Sequence, residues 1–157
     1  MRKTRDILYT IFIGFILFLA GAVILGGVEY FLYLLIGFDF LSVIVFFLLA
    51  RYLTILVLKG ITNRGLFYSI FIPILVFLMF ILKNFVFFTV YFTISGENFF
   101  EVISSIPMIF IRNFISRFIY SSEIGIGQYI LNLFDVILDI AILIVGMYQS
   151  YKLTKYR

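Results

Sequence analysis

The chain has 157 residues, of which 64% are hydrophobic and 13% charged, against about 45–50% apolar and about 25% charged in soluble domains; lipid must therefore be the solvent for much of its surface. The net charge of +4 sits at segment ends and forms no patch for nucleic acid. With no Cys and no His, a disulfide framework, a thiol nucleophile, serine–histidine catalysis and the common zinc sites are excluded, and the sequence calls for no metal and no cofactor.

The chain opens with Arg2, Lys3, Arg5 and Asp6 before an apolar run over residues 7–28. That run exceeds a signal-peptide core of about 7–15 residues and has no small-residue cleavage site, so it reads as a retained first helix. Glu29 closes it. The apolar connector to Asp39 either continues the helix or lies along the interface. A second run, 40–58, stops at Lys59, and a short polar turn with Asn63 and Arg64 follows. The third, 66–82, ends before Lys83, with residue 94 as its alternative end, and Pro73 is expected to kink it. The fourth covers 124–147, ahead of Lys152, Lys155 and Arg157. Each run approaches the roughly 17–25 residues needed to cross a hydrocarbon core as a helix.

Charge orients the set. Arg2, Lys3, Arg5, Lys59, Arg64, Lys152, Lys155 and Arg157 are eight of the twelve basic residues. A four-helix arrangement in a cell membrane, with both termini cytoplasmic, puts all eight inside. Glu29, Asp39, Glu97, Glu101 and Glu123 then lie outside. Tyr148, Tyr151 and Tyr156 read as an inner aromatic belt.

Residues 99–120 are too apolar for an ordinary loop. At about 100° per residue, Glu101, Ser105, Arg112, Asn113, Ser116 and Arg117 share one side of a helix. Phe110, Ile111, Phe114, Ile115 and Phe118 fall largely on the other. This predicts an interfacial or re-entrant amphipathic helix on the outer side of the bundle. A spanning 99–120 helix would throw the basic C-terminus outside. The fold class read from the sequence is thus all-α and integral to the membrane. It is one domain over 1–157, a four-transmembrane-helix bundle with this extra amphipathic helix.

The most specific pattern lies on the fourth helix. Gln128, Asn132, Asp135 and Asp139 are spaced at offsets of 0, 4, 7 and 11, which gathers them within about 60° of arc. Gly146 continues the line. At a rise of about 1.5 Å per residue, Asp139 lies about 20 Å and Asp135 about 25 Å from Lys152. A carboxylate at such depth costs at least about 2.5 kcal/mol on insertion scales, so it needs a partner or a function. Lys83 matches Asp135 in depth, and Arg51, about 12 Å inside Lys59, can reach toward Asp139 or the inner surface. Two acids and two bases form a neutral set, and polar glue between helices is the preferred reading. The sharper alternative is a proton or cation path. Ala22 and Gly26 make a small-x-x-x-small pair that permits close helix approach.

An enzymatic alternative rests on Asp135 and Asp139, one turn apart and able to share a proton. Along Asn113-Phe114-Ile115-Ser116-Arg117 and Asn132-Leu133-Phe134-Asp135 the chain faintly resembles the lipoprotein signal peptidases, small four-helix membrane proteins. The resemblance implies an intramembrane aspartyl hydrolase. Ser116 stands where that family has its first acid, no Val-Val-Asp-Phe segment supplies the catalytic partner, and two helices precede Asn63-Arg64-Gly65 where the family has one. The departures fall on the chemistry, and no family is assigned.

The functional expectation is a small bacterial membrane subunit or accessory protein. It would act through the fourth helix and the amphipathic segment, in contact with the lipid bilayer and with a protein partner or a second copy.

Overall fold

The computed structural model describes residues 2–36, 40–61, 65–96, 98, 100, 101, 104, 105, 108 and 126–155. All regular structure among them is helical. In hydrocarbon, each backbone N–H and C=O must be satisfied within its own segment, and only a helix does this for a chain without strand partners. Helix α1 (Arg2–Tyr9) runs through a π-helical turn at Thr10–Gly14 into α2 (Phe15–Ile36). Helix α3 covers Phe40–Lys59, α4 Leu66–Ile94 and α5 Ile126–Lys155. Among the described residues, three stretches are long and apolar enough to cross a membrane: Thr4–Leu35, Leu66–Ile94 and Val136–Lys155.

Two helices take the longer of their expected courses: the first continues past Glu29 through the apolar connector to Ile36, and the third continues past Lys83 to Ile94, its alternative end. The last runs beyond its expected end at 147 to Lys155. A charge ends a comfortable stay in lipid, not a helix, and here the two interior charges meet each other. What stops α4 is Gly96, at a φ of 90°, a left-handed conformation that a Cβ would strain. The Ser95 and Gly96 amides donate to Tyr91 and Thr93 carbonyls at 3.1 and 3.2 Å.

The π turn also has a local cause. The Thr10 hydroxyl donates to the Asp6 carbonyl at 2.8 Å, competing with the backbone amide that would otherwise use that acceptor. Of the expected amphipathic segment, Phe100, Glu101, Ser104, Ser105 and Met108 are helical, and Glu101 is exposed. Arg112, Asn113 and Arg117 lie outside the described residues.

Helix α4 packs between α2 and α5, while α3 joins α2 and α5 on the opposite side, giving the order α2, α4, α5, α3 around the bundle. The interior is largely apolar: Phe18, Leu25, Phe46, Val57, Ile72, Leu75, Val76 and Met79 are all buried. Large apolar side chains such as Phe12, Leu48, Phe134 and Ile144 face outward. Such a distribution suits lipid, where apolar surface carries no penalty.

Two small residues set the helix spacing. A Cβ on Gly26 would sit 2.7 Å from the Lys83 carbonyl oxygen and 2.7 Å from Val86 Cβ, so α2 and α4 touch backbone to backbone there. Ala22, one turn earlier, is equally buried; the small pair is spent within the chain. On α5, a Cβ at Gly146 would meet Phe46 at 2.8 Å.

Candidate functional site

The polar groups inside the bundle are few and lie in two layers. In the C-terminal half of α4, the Lys83 ammonium donates to both Glu29 carboxylate oxygens at 2.8 Å. The two side chains are only 8% and 12% exposed, and the ammonium also lies 5.0 Å from the Phe80 ring centre. Lys83 is seventeen residues from Leu66, about 25 Å along the helix. Aromatic rings of Tyr30, Tyr33, Phe87 and Tyr91 pack edge-on and stacked beyond the pair.

This geometry corrects the expected Lys83–Asp135 pairing: the lysine is held by Glu29, a residue assigned to the outer surface from sequence. The signal was present. Glu29 follows Ala22 and Gly26 at offsets of seven and three, so the small face that brings α2 onto α4 carries it directly to Lys83.

The second layer draws on α1, the π turn, α3, α4 and α5. Asp6, Thr10, Thr54, Ser150 and Thr154 are buried, and Tyr68 at the start of α4 is buried beside them. The Thr54 and Ser150 hydroxyls are 3.1 Å apart, joining α3 to α5. Asp6 is enclosed while Arg5, 3.8 Å away, stays exposed. Sequence reading missed these residues because short hydroxyl side chains in apolar helices carry no periodic signature. An open groove of about 640 Å³ along Thr4, Arg5, Leu8, Tyr9 and Phe12 includes none of the predicted site residues.

The stripe of α5 is only partly visible. Val136, Ile142, Gly146, Ser150 and Thr154 are buried while Phe134, Ile137, Ile144 and Tyr148 are exposed, which defines an inward face. By register, Asp139 belongs to the Gly146–Ser150 side of the helix. Asp139 is half-buried and interacts with its surroundings. The side chains of Gln128, Asn132 and Asp135 lie outside the described set. Arg51 lies on the exposed side of α3, and the described residues offer it no hydrogen-bond or ion-pair partner. No group of three or more acidic residues able to hold a metal ion occurs among the described residues.

The site that emerges is an enclosed ion pair and an enclosed hydroxyl pair, each joining two helices across an apolar core. Comparison with protein-family models, with curated proteins and with solved structures finds no match.

Proposed function

We propose that this chain is a small four-span membrane subunit, with both termini cytoplasmic, that works by helix association with another membrane protein or with itself. The fourth span is α3, whose 20 residues measure about 30 Å as a helix, the thickness of a hydrocarbon core. The distribution of the eight basic residues supports the orientation. The observation that carries the reading is that Lys83 and Glu29 satisfy each other across α2 and α4. Between that pair and Thr54–Ser150 the interior is filled by Phe46, Ile72, Leu75, Val76 and Met79. Charges closed on each other and separated by packed hydrocarbon act as polar glue and leave no wet path among the described residues.

Purification of the full chain in mild detergent tests this: a stoichiometric partner or a defined oligomer is expected. The rival role, a proton- or cation-coupled transporter component using Asp135 and Asp139, predicts ion flux in vesicles containing this chain alone. Flux that Asp135→Asn and Asp139→Asn abolish would replace the subunit reading.

A further inference from the structure

Arg51 sits in the wrong solvent. On α3 it lies eight residues from Lys59 and eleven from Phe40, about 12 Å and about 16 Å from the two ends. If α3 spans the membrane, as proposed above, the arginine is near mid-bilayer. It faces outward, on the same side as Ile44, Leu48, Tyr52 and Lys59, and Leu48 and Tyr52 are 64% and 59% exposed. An extended arginine side chain spans about 6–7 Å at bond lengths near 1.5 Å. Snorkelling toward the inner surface, which the sequence reading allowed, therefore leaves the guanidinium about 5 Å short of it. A cation left in hydrocarbon costs at least about 2.5 kcal/mol, yet no described residue answers it. Lys83, by contrast, is fully enclosed by its carboxylate.

We infer that the outer face of α3 is a docking surface for a transmembrane helix of a different protein, one that carries an intramembrane Asp or Glu opposite Arg51. Charge complementarity selects this occupant. A lipid tail offers no counter-charge. A second copy docked face to face would set Arg51 against Arg51, because α3 contains no acidic residue, and an isologous interface repeats each residue across its axis. Of the acids whose side chains the structure describes, Glu29 is held by Lys83, Asp6 is buried at the other end of the bundle, Asp139 lies half-buried on α5, and Glu101 is exposed beyond α4. The partner's carboxylate would accept a forked pair of hydrogen bonds from the guanidinium. Leu48 and Tyr52 would pack beside that pair, and the Tyr52 hydroxyl supplies a further donor.

The experiment uses the full chain in its native membrane. A photo-reactive benzophenone residue replaces Leu48 on α3 or, as a control, Ile144 on the exposed side of α5. The expected result is a position-48 adduct with one distinct polypeptide whose crosslinked helix contains an Asp or Glu. Adduct yield, normalised to abundance, falls about tenfold or more on Arg51→Leu and persists on Arg51→Lys. Arg51→Asp removes it, and changing the partner's carboxylate to Lys restores it. Adducts with lipid alone, with a second copy, or with a helix lacking a carboxylate overturn the inference, as does indifference to Arg51→Leu. The spanning reading is checked separately. The chain has no cysteine, so Arg51→Cys introduces a single thiol; if a membrane-impermeant maleimide labels it, α3 does not span and both statements fall.

Discussion

The Lys83–Glu29 pair can be broken from either side, and the two ways of breaking it should not add. With an oxygen 2.8 Å from the ammonium, the gross attraction at an effective dielectric of 20 is about 6 kcal/mol. Most of that offsets the cost of taking two ions out of water. Lys83→Met leaves a buried carboxylate uncompensated, and Glu29→Gln leaves a buried ammonium uncompensated. Each should destabilise the bundle by about 3–5 kcal/mol, with re-ionisation to neutral forms lowering the loss toward the smaller figure. The double variant removes both charges and should recover to within about 1–2 kcal/mol of the native chain. The coupling is therefore at least about 4 kcal/mol, far above the roughly 0.5 kcal/mol expected of independent sites. Reversible unfolding in mixed micelles, followed by far-ultraviolet circular dichroism for all four members of the cycle, measures it. Additive single losses would refute the reasoning, because they would mean that each residue is stabilised by groups other than its partner.

Three further outcomes follow from the packing. Gly26→Val should cost about 1–3 kcal/mol, since its Cβ meets the rigid Lys83 carbonyl and Val86; Gly27→Val, with nothing within 4 Å of its Cβ, should stay within about 0.5 kcal/mol, and the same unfolding assay compares them. Thr54→Val and Ser150→Ala should show a coupling of about 0.6 kcal/mol, and not above about 1.7, for their hydroxyl contact. Reporter fusions after Lys59 and after Lys152 should both read as cytoplasmic, whereas an external signal at Lys152 would remove one span and with it the depth argument for α5.

The sequence alone determined the solvent and the class. A chain that is 64% hydrophobic with 13% charge can only put that surface against lipid, and in lipid only self-satisfied helices are available to uninterrupted apolar runs. Helix locations around residues 7, 40, 66 and 124 were legible for that reason. Their ends were not. Glu29 and Lys83 look like boundaries when each is judged by its own transfer cost, and only in three dimensions does each cancel the other.

Partner choice was likewise a tertiary decision. Depth matching pointed Lys83 to Asp135 and left Glu29 outside, because it measures height along a helix and says nothing of which helices touch. The close approach of α2 to α4 at Gly26, with no room for a side chain, settled it. The orientation of Arg51 was decided the same way: a helix hydrophobic nearly all round has no face to read in its sequence, so only the packing of Phe46, Ala50, Leu53 and Val57 into the core turns the arginine outward.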